Sequence, residues 1–517
     1  MKERSEQTRV IKYRYRKVSE RLAKAIEVGA YRSGDRLPSI RDLMASEGIS
    51  QATAIRAMLD LEERGLITSR QRSGFFVKAT SSTSTAVKTT HEPSIPPATE
   101  SSPKPNAVNV HHLTQDLFRA SRTPKVVALG AADIAKNLMP VAALSSATRQ
   151  ALRGHGAPTW QTPDPHGVPE LRRAIARLMA LRGMDSSPDD VLITGGETDA
   201  MALALRTVTK PGDTVAIESP TFFGILKEIQ EAGLKAIEIS THPTTGIDID
   251  DLLWTADNIG FRAVVLNPTF QNPFGCCMEL YALRKLTEEM SRRGIPVIED
   301  DVYSDLSFGG KPMRALASSD NMANTIYCSS FSKTISPGLR IGWCIPGRFA
   351  PIVKEQLERR PVTTSTLAQI TLAEYLRGRR YARHRSQLCA LFEQQKSLVR
   401  RLIKENFPPG TTATDPSGGY LFWVEVPQPF DAMTFYKAAL EKGISIAPGP
   451  IFSPSNRFPH AFRLSVGCKL TSEIQRAIQT LGRIAGDTSL YRVGSGYLNS
   501  AAQRLEPDTA FNFDLQL

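Results

Sequence analysis

One short stretch of the sequence could anchor a covalent cofactor. The stretch SSFSKTISPGLRIGW, residues 329–343, holds Lys333 among small hydroxyl residues, and Arg340 follows seven positions later. A lysine amine can form a Schiff base with an aldehyde cofactor, and Ser330, Ser332 and Arg340 could hold its phosphate. Taken alone, the stretch fits a surface loop after a strand equally well, so the rest of the sequence must decide.

Pyridoxal phosphate (PLP) chemistry needs a partner for each part of the cofactor. A carboxylate must keep the pyridine nitrogen protonated, an aromatic ring must stack on the cofactor, a polar donor must reach its 3′-oxygen, and amides must join the phosphate site. An arginine suits the carboxylate of an amino acid. The further candidates, in chain order, are Gly196, Glu197, Thr198, Phe222, Asn272, Asp300, Tyr303 and Arg463. Each has an ordinary structural explanation, but the full set in one order favours PLP binding.

Most of these candidates follow directly after a predicted strand. Val/Ile-rich runs such as DDVLITGG, DTVAIESP, RAVVLNP and IPVIEDD alternate with amphipathic segments such as ETDAMALALRTVT, ILKEIQEAG and ALRKLTEEMSRRG. This alternation predicts an α/β fold with a mainly parallel sheet. Ligands of such sheets bind at the carboxyl ends of the strands, where the candidates lie.

The positive charge of the chain is concentrated at its N-terminus. Residues 1–78 contain 17 Lys and Arg against 10 Asp and Glu, a net charge of +7, and the other 439 residues contribute +5 to the total of +12. A basic module on a nearly balanced body predicts a polyanionic partner for that module. A solvated basic face without a partner remains the alternative.

Composition predicts a multidomain chain of four regions. Residues 1–78 form the basic module, and residues 79–122 are rich in Ser, Thr and Pro, as is typical of a linker. Residues 123–486 contain the α/β pattern. Residues 487–517 are polar and aperiodic and receive no assignment.

Composition also argues against several classes of protein. No apolar run reaches the roughly 20 residues of a membrane helix, and the first residues lack the apolar region of a secretory signal. The six cysteines show no metal-ligand spacing and fit reduced thiols better than disulfides or a zinc site. We therefore expect a cytoplasmic protein with no metal site and no membrane partner.

Residues 13–78 show the pattern of a winged helix-turn-helix. The first helix would place Val18, Leu22, Ala25 and Ile26 on one face and stop at Gly29, and Ser39 with Asp42 would cap a second helix. Ser50 would cap a third helix that buries Ala54, Met58 and Leu61. That helix would present Gln51, Thr53 and Arg56 outward near its N-terminus, where a recognition helix meets base edges. Two strands, LITS and FFVKA, would flank a basic wing.

This module resembles the GntR family of bacterial regulators. The family segments Leu-Pro-Ser-x-Arg, Gly-Ile-Ser-x-x-Thr and Arg-Ser-Gly stand here at residues 37–41, 48–53 and 72–74. The resemblance implies binding to double-stranded DNA, with Arg41, Arg56 and Arg72 as the leading phosphate or base contacts. The full set of expected DNA contacts is Ser39, Arg41, Ser50, Gln51, Thr53, Arg56, Arg72 and Gly74.

The body, about residues 123–486, resembles fold-type I aminotransferases, which have a large and a small subdomain. The resemblance implies that Lys333 bonds covalently to PLP, that Asp300 pairs with the pyridine nitrogen and that Phe222 stacks on the ring. It also implies that Asn272 and Tyr303 reach the 3′-oxygen. The phosphate would be held by backbone amides at Gly196, Glu197 and Thr198 and by the side chains of Ser330, Ser332 and Arg340, and Arg463 would bind an α-carboxylate.

The body departs from the aminotransferase pattern at three places. Phe222 stands where a tyrosine is usual, and Trp160 lies near the place where a tyrosine of the partner subunit often reaches the phosphate. The early Gly-x-Pro segment, which lines the substrate carboxylate, is replaced by Leu129-Gly130-Ala131-Ala132-Asp133. These differences affect the expectation of efficient transamination more than that of cofactor binding.

Together, the two halves resemble the MocR subfamily of GntR-type regulators. The resemblance implies a homodimeric, PLP-dependent transcriptional regulator whose body senses PLP or an amino compound and controls operator binding. The alternative is an active aminotransferase with secondary DNA binding; a cofactor-free scaffold is disfavoured because Lys333, Asp300 and Arg340 are all present. The effector, the operator and the direction of regulation do not follow from the sequence.

Overall fold

The computed structural model describes residues 15, 18–20, 22, 23, 26, 37–40, 43, 44, 50–70, 74–78, 104–108, 111–310, 313–320, 322–360 and 364–492. The chain divides into two compact units, residues 1–90 with residues 279–286, and residues 91–278 with residues 287–517. Across the described residues, no helix is both long enough and apolar enough to cross a membrane.

In the first unit, a helix and a hairpin match the sequence prediction. Helix α1 (Gln51–Glu63) begins after Ser50, whose Oγ accepts a hydrogen bond from the Thr53 amide at 3.3 Å. Strands β1 (Ile67–Arg70) and β2 (Gly74–Val77) pair antiparallel. The predicted third helix and the two wing strands are thus confirmed.

The described residues of the first unit form an apolar core that draws on its helical segments and on the hairpin. Its buried members are Val18, Leu22, Ala23, Ile26, Leu37, Leu43, Ala54, Ala57, Met58, Leu61, Ile67 and Val77. The predicted inward residues of α1 are therefore in place. Ala25, Gly29 and Asp42, which entered the prediction of the first two helices, lie outside the described residues.

The remaining elements alternate between strands and helices as predicted. The strands are β3 (Asn106–Ala107), β4 (Val127–Ala128), β5 (Leu192–Thr194), β6 (Thr214–Ser219), β7 (Lys235–His242), β8 (Gly246–Ile247), β9 (Ala263–Leu266), β10 (Val297–Asp300), β11 (Thr325–Ser330), β12 (Gly342–Ile345), β13 (Thr412–Ala413), β14 (Leu421–Glu425), β15 (Ile444–Ser445), β16 (Ala447–Pro448) and β17 (Ala461–Ser465). The helices after α1 are α2 (His111–Arg122), α3 (Val141–His155), α4 (Pro169–Ala180), α5 (Glu197–Val208), α6 (Phe223–Glu231), α7 (Ile249–Asn258), α8 (Leu280–Arg292), α9 (Ala350–Glu358), α10 (Thr366–Leu376), α11 (Arg380–Asn406), α12 (Ala432–Glu441), α13 (Ser472–Gly486) and α14 (Ser489–Arg492).

The largest sheet among the described residues has nine strands. Its order is β3-β7-β6-β9-β10-β11-β12-β5, and β8 pairs with β7 beside this path. Five adjacent strands of this order, β7, β6, β9, β10 and β11, are mutually parallel, whereas β12 runs antiparallel to both of its neighbours. The predicted, mainly parallel sheet is confirmed. Its parallel strands end at one edge, which brings the candidate cofactor residues together.

Helices cover both faces of this sheet. Neighbouring residues of a strand point to opposite faces, so Leu192 of β5 packs with residues of α5 and α6 while Ile193 packs with residues of α4 and α10. A smaller antiparallel sheet, β13-β14-β17-β16, forms a second layer of the same unit and sets Trp423 opposite Arg463.

Part of the expected linker is ordered and belongs to the second unit. Strand β3 pairs with β7, and α2 buries Thr114, Leu117 and Ala120. A side chain on Gly130 would collide with Leu117, because a Cβ placed there would lie 2.6 Å from Leu117 Cδ1. Composition missed these elements because they are short and polar and rest on a few spaced apolar contacts. Residues 493–517 of the unassigned tail lie outside the described residues.

Candidate cofactor site and DNA-recognition helix

Lys333 lies just beyond the carboxyl end of β11. We call the site that it forms with the neighbouring Tyr303, Arg463, Asp300 and Glu197 the cleft. Its Nζ donates hydrogen bonds to the carbonyl oxygen of Ala132 at 2.8 Å and to Oδ1 of Asp133 at 3.2 Å. Burial acts to lower the pKa of Lys333, but the oxygens of Tyr303 and Asp133 outweigh it, and the pKa is raised. The amine is therefore held at a fixed point as an ammonium ion.

Several buried polar atoms in this cleft, Nε of Arg463 among them, have no hydrogen-bond partner among the described residues, and two of these atoms suit the ring of PLP. They are Oδ1 of Asp300, at the end of β10, and the hydroxyl of Tyr303. Burial, with the nearby carboxyl groups of Glu197 and Asp301, raises the pKa of Asp300 well above its usual range. Because buried polar groups need a partner, these atoms fit the pyridine nitrogen and the 3′-oxygen of PLP. A pyridinium beside Asp300 would also favour the charged carboxylate.

Asn272 and Arg463 form one buried pair. Arg463 Nη1 donates to Asn272 Oδ1 at 2.8 Å, and Arg463 Nη2 donates to the carbonyl oxygen of Gly130. The guanidinium carbon lies 5.8 Å from the centre of the Phe223 ring and 5.1 Å from that of Phe452. Burial lowers the pKa of Arg463 to about 10. An anionic ligand would supply the countercharge that this buried cation lacks among its hydrogen-bond acceptors.

The predicted phosphate site forms where β5 leads into α5. Gly196 has a φ of 112° and precedes the first helical residue without a side-chain cap, so the first amides of α5 are available to an anion. The φ of 112° favours glycine at this position, and a Cβ there would lie 2.9 Å from Arg340 Nη2. Arg340 itself adopts a left-handed φ of 52° and donates to the carbonyl oxygen of Gly195 at 2.7 Å.

The remaining predicted cofactor residues lie at the same edge of the sheet. Ser330 is buried, and its Oγ accepts a hydrogen bond from the Ser332 amide at 3.3 Å. Thr198 is exposed in the first turn of α5. Phe222 precedes α6, with its ring centre 4.8 Å from that of Phe223. The structure gathers Lys333, Asp300, Tyr303, Asn272 and Arg463 and sets the phosphate candidates close by.

Three carboxyl groups near Lys333 and Asp300 were not predicted from the sequence to act on the site through their side chains. Asp133 was noted only as a departure from the family pattern, yet it pairs with Lys333. Burial raises the pKa of Glu197 to about 7, against the lowering influence of Lys333 and Arg340. Burial also raises the pKa of Glu218 to about 8, although its Oε2 accepts a hydrogen bond from the Asn267 amide at 2.8 Å. Asp133 could have been found from the sequence, because a charged residue stands in the segment that replaces Gly-x-Pro. No comparable departure from the family pattern marks Glu218.

Helix α1 presents some of the predicted DNA contacts and buries another. Gln51 and Arg56 are exposed, and the guanidinium carbon of Arg56 lies 5.7 Å from the centre of the Tyr15 ring. The prediction of an outward Thr53 is wrong: its side chain is 4% exposed, and its hydroxyl lies 2.8 Å from Ser50 Oγ. The third residue of a helix commonly returns to the cap, which turns this hydroxyl away from solvent.

The other predicted DNA contacts are only partly described. Ser39 is half-buried, and its carbonyl oxygen accepts a hydrogen bond from the Leu43 amide at 2.9 Å, as expected at the start of a helix. Gly74 opens β2 in the wing. Arg41 and Arg72 lie outside the described residues. No cluster of metal-ligating side chains occurs in the described part of the chain.

Comparison with known proteins assigns both units to families. Residues 124–481 match the model of aminotransferase class I and II, and residues 14–77 match that of the bacterial regulatory proteins of the gntR family. The chain is 34% and 32% identical to the uncharacterized HTH-type transcriptional regulators YdcR and YjiR of Escherichia coli. Each match covers 91% of this chain and 98% of the relative.

A solved structure resembles the body. The α-aminoadipate aminotransferase LysN of Thermus thermophilus, determined with N-(5′-phosphopyridoxyl)-L-leucine, superposes with a TM-score of 0.66 at 25% identity, over 74% of this chain and 95% of that chain. The fold is thus a winged helix-turn-helix joined to a fold-type I, PLP-binding aminotransferase domain. The chain belongs to the gntR-family transcriptional regulators that carry an aminotransferase class I and II domain, the MocR architecture.

Proposed function

We propose that this protein is a cytoplasmic, PLP-dependent regulator whose body binds an amino compound and thereby changes the affinity of its N-terminal module for DNA. One observation carries the proposal. Lys333 and the two unpartnered atoms of Asp300 and Tyr303 converge on one cleft, in a chain whose first residues match a DNA-binding family.

The proposal gives each residue of the cleft a task. Lys333 would bond to the aldehyde carbon of PLP, Asp300 would pair with the pyridine nitrogen, and Asn272 and Tyr303 would reach the 3′-oxygen. Phe222 would cover the ring. The phosphate would be held by backbone amides at Gly196, Glu197 and Thr198 and by the side chains of Ser330, Ser332 and Arg340.

When bound, PLP supplies an aldehyde carbon that can exchange one amine for another. The protein would supply selection and orientation. Arg463 is fully buried and flanked by Phe223 and Phe452, so a carboxylate that reaches it would be shielded from water. An amino acid would then be held at two points, by its nitrogen near Lys333 and by its carboxylate at Arg463.

A homodimer would convert this binding into regulation. Fold-type I sites are completed by the partner subunit, and two joined bodies would bring two copies of α1 to one operator. The operator should therefore contain paired half-sites, direct or inverted, because the Ser/Thr/Pro-rich composition that follows the N-terminal module does not specify one orientation. A difference of about 1–3 kcal/mol between two DNA-binding states would give a response of about 5–150-fold.

The second candidate function is a working aminotransferase with secondary DNA binding. The observation that favours it is the complete set of Lys333, Asp300 and Arg463 in one cleft. Turnover of amino and keto acids by the purified protein separates the two candidates, because a sensor should bind an amine without releasing the keto product.

Binding of labelled operator DNA, with and without PLP and an amino-acid and polyamine panel, tests the proposal. Lys333→Ala should remove visible absorbance by bound PLP and the effect of the amino compound on DNA affinity. Lys442→Ala, which removes an exposed lysine just after α12, should retain both. The proposal would be contradicted by a wild-type protein that stays colourless with PLP, or whose DNA affinity changes with no compound of the panel.

A further inference from the structure

Asp133 is a charged residue that the aminotransferase pattern does not explain. It closes the segment that replaces Gly-x-Pro, and its Oδ1 lies 3.2 Å from Lys333 Nζ. The Asp133 side chain is 53% exposed and that of Lys333 is 17% exposed. The pair thus joins a solvent-facing carboxylate to a cleft-facing amine.

The backbone holds this pair in place. The carbonyl oxygen of Ala132 accepts hydrogen bonds from Lys333 Nζ at 2.8 Å and from the Tyr420 hydroxyl at 3.1 Å. The backbone of Asp133 packs closely against Gly467, because a Cβ on Gly467 would lie 2.5 Å from the Asp133 carbonyl oxygen. Two adjacent acceptors, one of them a carboxylate, therefore point at a single nitrogen.

Several charged and titratable groups surround Lys333. Tyr303 and Asp133 favour the ammonium, Arg463 opposes it, and Glu197 and Asp300 also lie within electrostatic range. Burial raises the pKa of both Glu197 and Asp300, which weakens their negative charge near neutral pH. Asp133 differs from them because its Oδ1 accepts a hydrogen bond directly from Lys333 Nζ at 3.2 Å. It is therefore the carboxylate that remains available to pair with Lys333.

The charge on Lys333 matters once a ligand amine has replaced it on the cofactor. With PLP bound, a ligand ammonium that took the place of Nζ on the aldehyde carbon would pass hydrogens to Nζ as the bond from that carbon to Nζ broke, so that Nζ would end as an ammonium, and no oxidant or reductant would be required. Transamination then needs a neutral Nζ, because only a free lone pair can take the proton from the ligand carbon.

We propose that Asp133 is a positioning residue that holds the displaced Lys333 as an ammonium, so that the cleft binds an amino compound without carrying it on to transamination. This inference rests on the proposed function, which requires the cleft to bind an amine. It adds a reason why such a cleft would bind an amino compound as an effector without converting it to a carbonyl product. The hydrogen bond from Lys333 Nζ identifies Asp133 as the carboxylate that would keep this amine charged.

Amine labelling of the full-length protein without PLP tests the contact directly. Trinitrobenzenesulfonate reacts with neutral amines, and peptide mass spectrometry gives the rate at Lys333 between pH 6 and 10. Asp133→Asn should raise this rate about three- to tenfold near pH 8, since one pKa unit is tenfold in neutral amine. Asp133→Glu should stay near wild type. Asp415→Asn, which removes a 51% exposed carboxylate 2.9 Å from Lys396, is the matched control and should leave Lys333 unchanged.

The PLP-loaded protein tests the consequence. With L-alanine, L-lysine and 1,4-diaminobutane as probes, wild type should change the absorbance of bound PLP yet release carbonyl product at least about tenfold more slowly than Asp133→Asn. An Asp133→Asn variant with an unchanged pH profile of labelling, or with no gain in product despite a shifted profile, would overturn the inference. Operator binding by wild type is measured in parallel: its failure to respond would contradict the proposed function, while the labelling result would still decide the role of Asp133.

Discussion

Asp300 and Asp301 are neighbours in the sequence, but their carboxyl groups have different environments. Oδ1 lacks a hydrogen-bond partner among the described residues in both, but Oδ2 of Asp301 pairs with Arg182 at 2.5 Å and accepts from the Tyr327 hydroxyl at 2.7 Å. Asp300 instead lies near Lys333 and Glu197. The sequence VIEDDVY does not distinguish the two. Their side chains alternate across the end of β10, which sets one beside Lys333 and the other beside Arg182 in the core.

Because the two environments differ, the same Asp→Asn substitution should have a different effect at each position. Asp300→Asn should weaken PLP binding about tenfold or more, because a neutral amide replaces a charge-assisted hydrogen bond to the pyridinium, and should change the melting temperature little. Asp301→Asn should instead destabilise the fold by about 1.5–3 kcal/mol, since Arg182 loses one of its two buried carboxylate partners and keeps only Asp305. PLP titration followed by absorbance and thermal unfolding separate the two effects. Equal PLP affinity in wild type and Asp300→Asn would refute the assignment.

At the scale of elements, the first two turns of α1 hold a structural residue next to a candidate recognition residue. Thr53 is buried against its cap Ser50, whereas Arg56, one turn later, is exposed. Residues three apart differ by only about 60° around a helix axis, so the bond of the Thr53 hydroxyl to the cap, rather than an opposite helix face, separates the two environments. A substitution of Thr53 should therefore alter stability, and one of Arg56 should alter DNA binding.

We expect Arg56→Ala to cost about 1–3 kcal/mol at the specific operator and much less on random DNA, if Arg56 reads a base. Thr53→Ala should mainly lower the stability of the N-terminal unit, by about 0.5–2 kcal/mol, because it removes a partner of the helix cap. Arg64→Ala, at the opposite end of α1, is the control for loss of an exposed arginine. Fluorescence anisotropy on both DNAs and thermal unfolding provide the measurements. Unchanged operator affinity in Arg56→Ala would show that Arg56 of α1 does not read a base.

At the scale of the whole molecule, the ordered body begins earlier than composition indicates. Strand β3 adds to the main sheet at β7, and Leu117 of α2 packs on Gly130, whose carbonyl oxygen accepts a hydrogen bond from Arg463. The end of the expected linker is therefore joined to the segment that lines the ligand site.

A fragment of residues 104–492 should accordingly be a stable, PLP-binding dimer, whereas residues 123–492 should be less stable. Loss of α2 exposes the partners of Leu117, and burial of one leucine contributes about 1.5–3 kcal/mol. Sedimentation and thermal unfolding of the two fragments, with full-length protein as the control, test this. A monomeric 104–492 fragment would contradict the proposed dimer, and equal stability of the two fragments would contradict the role assigned to α2.

The sequence by itself determined the fold class and the cofactor, and it named most of the candidate residues for the cofactor site. The order of Lys333, Asp300 and Arg340 along alternating strands and helices was sufficient, because parallel strands end at one edge and bring distant residues together. The motifs around Ser50 likewise identified the DNA-binding module. These features are local in sequence, or follow from a regular topology.

Only the tertiary structure decided which neighbours those residues meet. It turned Thr53 inward, separated Asp300 from Asp301, added α2 to the body and placed Asp133 beside Lys333. The partners in the last case are 200 positions apart in the chain. The reason is physical: burial and long-range pairing depend on how packed elements converge, and no periodicity or spacing along the chain records the distance between two such side chains.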